Sequence, residues 1–302
     1  ASTYACGGSY GGVGGGAGAN AVYGDFRDPN ELGSGGWSLP GGGLARVVTG
    51  HLRLDGVIRA NGGTIAYGAG SGGGIRLEVS TLSGGGSIES IGGSGYQGRA
   101  GGGGGRIAIY YGQLNGFDLS NRVSAAGGTD SPVGAPGTIY LKRLGDRGSL
   151  VIDRMGAGTR AASLWLPEGT NYLEEVVIRG TGTTAEVLST NIAPTNMVVQ
   201  NWATLVVNQP WRVSALNLTN GAVLTHSAAT TTNEYKLDIQ VLGTLSVSSN
   251  SSIDVSSKGY LAKRTYPNTT NNASTYECGG SYGGLGGGAG ANAVYGDFRD
   301  PN

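Results

Sequence analysis

Four segments of the chain alternate apolar and polar residues in the same way, each directly after a glycine. They are Leu44-Ala45-Arg46-Val47-Val48, Ile75-Arg76-Leu77-Glu78-Val79, Arg106-Ile107-Ala108-Ile109-Tyr110 and Thr138-Ile139-Tyr140-Leu141-Lys142. The glycines in front of them, Gly43, Gly74, Gly105 and Gly137, fall at steps of 31, 31 and 32 residues. Alternation over four to six positions predicts a half-buried strand. A second apolar stretch follows each after a short gap, at 57–61, 87–91, 122–126 and 150–155. This phase predicts an all-β fold, a right-handed parallel β-helix (β-solenoid) with glycine-rich loops. Each strand would pair with its equivalent one turn along, and inward aliphatic residues would stack in ladders. A β-sandwich has similar strand spacing but does not explain a fixed glycine-to-strand phase.

From about Leu164 the pattern changes to short strands in Thr, Asn, Val and Leu, recurring every 8 to 14 residues. Candidates are 173–179, 185–188, 197–200, 204–208, 213–218, 223–225, 237–241, 244–247 and 252–255. These suit shorter turns continuing the same axis, with a separate sandwich left open. Gln200-Asn201 and Asn208-Gln209 are candidates for stacked amide ladders at turns. No helix is needed; the nearest candidate, 171–179, is too rich in β-branched residues.

Glycine divides the same two regions. Residues 1–158 hold 46 of the 61 glycines, and 159–272 hold six. The chain also repeats itself. Residues 273–302 match 1–30 at every position except Ala5 against Glu277 and Val13 against Leu285, an offset of 272. A fixed period is the signature of stacked repeats. The reading is a 272-residue unit and the start of the next, as a module of a longer array. It comprises a glycine- and aromatic-rich interface segment (1–40), glycine-rich turns of the stack (41–158), glycine-poor turns (159–258), a junction (259–272) and the next repeat (273–302). The interface segment carries Tyr4, Tyr10, Tyr23, Phe26 and Trp37 and reads as an ordered loop layer wrapped against something else. The second copy is expected to fold as the first does, and to contact the next module as the first contacts this one.

Net charge is zero and charged residues are 13% of the chain, about half the usual ~25%. Nothing in that balance suggests a nucleic-acid groove or an anionic membrane surface, and no apolar run approaches the ~20 residues that span a bilayer. Cysteine occurs once per period, at Cys6 and Cys278. At ~4.8 Å per strand the two sulfurs lie on the order of 50 Å apart, too far to pair within one module. Each is either a buried thiol or a cross-link to a neighbouring chain.

Chemistry is sparse. His51 and His226 stand alone, no zinc spacing occurs, and the GxGxxG matches lead into strands rather than a helix. No enzyme is expected. Asp25, Asp28, Asn30 and Glu31 form the densest oxygen cluster. It reads either as a turn held by Asx hydrogen bonds, with Arg27 paired to Asp28, or as a calcium site. Calcium is the one cofactor to consider. Asn217, Asn250, Asn268 and Asn272 head N-x-S/T sequons, open to glycosylation in a source that glycosylates. Tyr10, Tyr96, Tyr110, Tyr111 and Trp37 are candidates for glycan stacking, or equally for core and fibre contacts.

The strings GGSYGGVGGG (7–16), YGDFRDPNELGSGG (23–36), SGGGIRLEV (71–79), GGGGGRIAIYYG (101–112) and SSIDVSSKGYL (251–261) span nearly the whole unit. With these residues the chain resembles the glycine-rich β-helix repeats of very large bacterial surface and adhesin-like proteins. The resemblance implies an extracellular or cell-surface protein with a structural or adhesive role and no defined active site. The near-identity of the two copies suits a homogeneous fibre better than a varied adhesin stalk. The expected function is a structural module that assembles end to end with copies of itself. The alternative is an adhesin or carbohydrate-binding surface.

Overall fold

The computed structural model describes residues 6–64, 67–96, 98–153, 173–187, 194–297 and 299, and the backbone of 161–164. Tyr4, the end of the strand expected at 150–155, the boundary at Gly158 and Leu188 lie outside these residues. The fold is all-β, with no helix among the described residues. It follows that no helix there is long and apolar enough to cross a membrane.

The glycine-rich region contributes β1 (Leu44–Arg53), β2 (Val57–Arg59), β3 (Gly74–Ser83), β4 (Ser87–Glu89), β5 (Arg106–Asn115), β6 (Val123–Ser124), β7 (Thr138–Arg143) and β8 (Ser149–Asp153). The glycine-poor region adds β9 (Ala161–Leu164), β10 (Glu175–Arg179), β11 (Thr184–Val187), β12 (Asn196–Gln200), β13 (Thr204–Val207) and β14 (Trp211–Val213). It ends with β15 (Leu216–Thr219), β16 (Val223–Thr225), β17 (Ile239–Val241), β18 (Leu245–Val247) and β19 (Ser252–Ile253). One nine-stranded sheet runs through both regions in the order β1-β3-β5-β7-β8-β10-β12-β15-β18. Beside it lie sheets of β2-β4-β6, of β9-β11-β13-β16-β19 and of β14-β17. All named pairs are parallel except β7 with β8.

The register departs from the glycine spacing. Leu44 faces Gly74, Gly74 faces Arg106 and Arg106 faces Thr138, giving steps of 30, 32 and 32. Ala45, Ile75, Ile107 and Ile139 thereby form one ladder, and Val47, Leu77, Ile109 and Leu141 the next. A step of 31 between the first two strands would have set Val47 against Glu78. A one-residue slip sends every side chain to the other face, so the apolar ladder decides the register and the glycines adjust.

The segment at 150–155 is a second correction. It does not continue the short series β2, β4, β6; as β8 it folds back against β7 in the main sheet, with Ile139 opposite Val151 and Tyr140 opposite Leu150. The five residues between the strands, Leu144 to Gly148, turn at Gly145 with φ of 88°, a conformation glycine takes without steric cost. Strand direction in the sheet therefore reverses at the hairpin, and the core changes face with it. Ile75, Leu77, Ile107, Ile109, Ile139 and Val151 belong to one buried cluster. Ala108, Tyr140, Leu150, Ile152, Val176 and Ile178 belong to a second, with Val187, Leu205, Leu218 and Leu224. Neighbours along β7 and β8 alternate between the clusters, so the sheet is a wall with one core on each side. The expected strand at 213–218 is likewise two strands, β14 and β15, which belong to different sheets.

The glycine runs form no strands, yet they are densely bonded. The amides of Ala69 and Gly72 donate to Ala100 and Gly103, those of Gly70 and Gly73 to Gly63 and Ala60, and those of Ser71 and Gly74 to Ser34 and Gly43. Gly101 and Gly104 likewise donate to Pro132 and Ala135, and Gly102 and Gly105 to Gly93 and Ser90. The partner recurs every third residue, which requires a backbone turning once in about three residues, as in polyproline II. A pleated strand bonds to two neighbours; the segment 69–74 bonds to six. Segments this close leave no room for side chains. A Cβ built on Gly102 overlaps the carbonyl oxygen of Gly70, and one on Gly70 overlaps that of Pro40. None of the glycines at 70–74 or 101–105 has a positive φ; close approach alone requires them.

Candidate assembly interface

Residues 6–36 form a strap that lies on the face of the main sheet opposite the first core and enters the glycine bundle. Gly12 and Gly15 donate to Gly104 and Gly101, while Gly103 and Ala135 donate to Gly8 and Val13. Outward-facing side chains of β3, β5 and β7 grip the rest. Tyr110 donates to Arg27 O at 2.7 Å, and Arg76 pairs with Asp28. Phe26 packs edge-on against Tyr140 at 5.5 Å, which links the strap to the second core. Burial raises the Tyr140 phenol to about 12.

Arg106 is the central anchor. It is buried, its Nε donates to Tyr23 O at 2.9 Å, its Nη1 to Thr138 Oγ1 at 3.1 Å, and its guanidinium lies 5.4 Å from the Tyr10 ring. Burial lowers its pKa, opposed by Tyr10, Asp25 and Glu31. Tyr10 is fully buried and donates to Glu31 at 3.0 Å; burial first, then that bond, raises its pKa. Nothing in the composition marks Arg106 as an anchor. Its one sequence signal is its place as a polar residue beginning an alternating strand after five glycines.

The oxygen cluster at 25–31 is dispersed among these contacts. Arg27 pairs with Asp25, at 2.7 Å, rather than with Asp28. Burial disfavours the Asp25 carboxylate, but hydrogen bonds from the Arg27 side chain and backbone hold its pKa below the ordinary value of 3.8. Asp28 goes to Arg76, Glu31 accepts from Tyr10, and Asn30 donates its backbone N–H to Glu31. No three His, Cys, Asp or Glu side chains among the described residues converge as a metal site would require.

The strap's own fold is tied at Ser9 and Asn20. Ser9 N–H donates to Asn20 Oδ1 at 2.9 Å, Asn20 Nδ2 to Ser9 O at 3.2 Å, and Gly14 N–H to Ser9 Oγ at 2.8 Å. The second copy repeats each bond at Ser281, Asn292 and Gly286, at 2.8, 3.1 and 2.9 Å. It also repeats Tyr23 N–H to Tyr10 O as Tyr295 to Tyr282, and the Arg27–Asp25 pair as Arg299–Asp297. The two copies thus share one internal fold and differ in surroundings. Tyr10 is 0% exposed and Tyr282 is 42% exposed.

Cys6 is buried, Cys278 is half-buried, and neither forms a disulfide. Cys278 Sγ accepts the Gly290 amide within its own copy. Of the sequon residues, Asn250 and Asn272 are exposed; Asn217 donates to Asn196 and Asn268 to Thr230 O. Among the proposed stacking aromatics, Tyr96 and Trp37 are exposed, Tyr10 is enclosed and Tyr110 lies beneath Arg76. His226 bonds to Ser227 O. Of the residues expected in amide ladders, Asn201 accepts from Asn220 and Asn208 donates to Glu186 and Ser227, whereas the Gln209 Nε2 is buried without a hydrogen-bond partner among the described residues. A further ladder, Glu175–Asn196–Asn217, lies on strands instead. A cavity of about 580 Å³ at the junction is lined by Glu234, Lys236, Lys258, Tyr260, Tyr266 and Tyr282, among others. Compared with protein-family models, curated proteins and solved structures, the chain matches none of them.

Proposed function

We propose that this chain is a structural module which stacks end to end with copies of itself in an extracellular or cell-surface fibre, its architecture a right-handed parallel β-helix. One observation carries the reading: an unbroken hydrogen-bonded order of strands from β1 to β18 whose two edges expose apolar residues. Leu44 and Val48 on β1 are exposed at one edge and Leu245 and Val247 on β18 at the other, with Val57 on β2 and Ile253 on β19 exposed at the ends of the flanking sheets. Exposed apolar sheet edges are pairing surfaces unless they are covered, and stacked repeats need polar caps where the stack ends. Reversal of strand direction and exchange of core face at the hairpin together equal a half-turn about the stacking axis. Such a rotation preserves hand, and parallel crossovers are right-handed in nearly all proteins. Electron microscopy of the purified native material tests the proposal. Filaments with an axial repeat of roughly 40–45 Å, from nine strands at ~4.8 Å, are expected; isolated particles at every concentration would refute it.

A second reading, carbohydrate binding, draws on the tyrosine-lined cavity, because aromatic faces with charged neighbours suit sugar rings. A glycan array probed with the chain and with Tyr260→Ala separates the two.

A further inference from the structure

The aromatic side chains of the glycine-rich region divide sharply by position. Tyr10, Phe26, Phe117 and Tyr140 are buried and Tyr23, Tyr110 and Tyr111 half-buried, whereas Trp37, Tyr67 and Tyr96 are 51%, 50% and 47% exposed. These three sit on loops at one end of the glycine bundle, 30 and 29 residues apart, one on each of three successive turns. The loops are tied together in that order. Ser38 Oγ donates to Tyr67 O at 2.7 Å, Ser38 N–H to Gly68 O at 3.4 Å, and the Ala69 amide to Ala100 O at 3.0 Å. A line of hydroxyls runs beside the rings: Thr64 Oγ1 donates to Ser94 O at 3.0 Å, and Ser94 Oγ lies 2.9 Å from Thr129 Oγ1. Arg99 crosses between turns, its guanidinium 4.9 Å from the centre of the Tyr67 ring. Among the described residues no carboxylate or carbonyl takes up its N–H donors. The loops bond to one another along the stacking direction, so their tips form a side of the stack that turns added above or below leave open.

We propose that this row of rings is a binding site for an extended polysaccharide bearing carboxylates, a chain of uronic-acid residues. A pyranose ring is apolar on its C–H faces and polar around its rim, so it lies on an aromatic face while its hydroxyls reach hydrogen-bonding neighbours. Rings on consecutive turns, with hydroxyls alongside, repeat that arrangement as a linear polymer repeats its sugars. Tyr and Trp supply broad, rigid faces with little side-chain entropy to lose. Arg99 supplies the preference for charge. Stacking on Tyr67 fixes the plane of the guanidinium and leaves its N–H edge for a carboxylate, which it can hold through two parallel bonds. Asp130, on a fourth loop that carries no aromatic residue, bounds the site for an anionic chain. Single-stranded nucleic acid also stacks on aromatic rings, but such sites track the backbone with a positively charged groove. The loops at 36–40, 64–68, 94–100 and 129–133 contain Arg99 and no other Lys or Arg. The site is separate from the tyrosine-lined cavity at the junction and does not depend on the stacking of modules.

Affinity electrophoresis of the full chain through gels containing polygalacturonate, a neutral glucan or no polysaccharide tests the site. Wild type is compared with Trp37→Ala, Tyr67→Ala, Arg99→Gln and Tyr260→Ala. All four side chains lie outside the two cores, so each variant should keep the wild-type melting temperature. Polygalacturonate is expected to retard wild type and Tyr260→Ala alike, and to bind Trp37→Ala and Tyr67→Ala about tenfold more weakly. Arg99→Gln should bind polygalacturonate no better than the neutral glucan. Wild type that migrates freely through polygalacturonate, or retardation that survives both Trp37→Ala and Tyr67→Ala, would overturn the site. Equal retardation of wild type by the neutral glucan would remove the carboxylate from the proposal. Loss confined to Tyr260→Ala would move sugar binding to the junction cavity, and displacement of polygalacturonate by oligothymidylate at equal concentration would reassign the row to nucleic acid. Self-association in sedimentation velocity that Tyr67→Ala abolishes would make a second copy of the chain the occupant instead.

Discussion

The two regions on either side of the β7–β8 hairpin share one sheet and cohere by opposite means. In the glycine-poor region side chains do the joining. Val176, Ile178, Met197, Val199, Leu216 and Leu218 stack inward on successive strands, and Asn196, Asn208 and Asn217 bond from turn to turn. In the glycine-rich region the bundle joins backbone to backbone, each glycine segment bonding to several others at separations no side chain could enter. The first arrangement rests on apolar surface removed from water, roughly 25 cal/mol per Å². The second rests on hydrogen bonds worth about 1 kcal/mol each, net of those to water, and suffers the larger entropy loss of ordering glycine. Specificity accordingly lies in different places. The glycine-poor region is specified by which side chains are present; in the glycine-rich region that holds for the ladder of β1, β3, β5 and β7, while the bundle is specified by their absence.

The sharpest way to break this comparison is to add a single methyl group. Gly102→Ala places a carbon inside the carbonyl of Gly70, and neither backbone can yield without losing bonds on its other sides. The expected destabilisation exceeds about 4 kcal/mol, the range reserved for buried disruptions of this kind. Gly85→Ala, where nothing lies within 4 Å, is the matched control and should leave the melting temperature unchanged. Thermal melting followed by circular dichroism reads both. Equal tolerance at the two positions would show that the bundle is not close-packed.

In the other region the injury is inverted, and removing methyl groups is what costs. Ile178 is fully buried between β8 and β12 neighbours in the second core. Ile178→Ala is expected to cost about 2–5 kcal/mol, from lost transfer energy and the cavity left behind. Chemical denaturation with an unchanged m-value measures it. A loss below about 1 kcal/mol would mean that the side-chain ladder contributes far less than the burial implies.

How far each region could be read beforehand follows from the same contrast. Where side chains carry the pattern, the sequence is explicit: 223–225 is a strand end to end, 197–200 and 204–208 fall within a residue of β12 and β13, and Ile107 and Ile109 face inward as alternation requires. A run such as Gly101 to Gly105 has no side chains to alternate, so neither its period of three nor its partners are written in it. Glycine spacing also misleads on the register, because Gly74 is the first residue of β3 and faces Leu44 rather than Gly43, while Val47 and Leu77 set the pairing. The β7–β8 hairpin was available in principle: two apolar runs separated by five residues containing Gly145 are a hairpin signal. Of the interface, the strap was visible through its repetition. Its receptor was not, since Arg106, Tyr110 and Tyr140 look like ordinary outward positions of strands until the strap is laid across them.

Acid offers the mildest discrimination between the regions. In the glycine-rich region, Arg27 holds Asp25, and Arg59 at 2.8 Å holds Glu89, so that hydrogen bonds to arginine keep both carboxyls below their ordinary values of 3.8 and 4.5. A carboxyl whose folded value is depressed stabilises the fold above its unfolded value, and that contribution disappears as pH falls through the folded one. Both groups are partly exposed, which limits each pair to roughly 0–1 kcal/mol. Lowering the pH from about 5 to about 2 should therefore loosen the strap and β2–β4 ahead of β10–β16. Hydrogen exchange would register this as earlier loss of protection at Arg27 and Ala60 than at Ile178 and Leu205. Asp25→Asn should flatten the acid response of the strap while leaving that of β4 in place. Protection lost simultaneously in both regions would instead make the shared sheet, and not the local pairs, the unit that responds to acid.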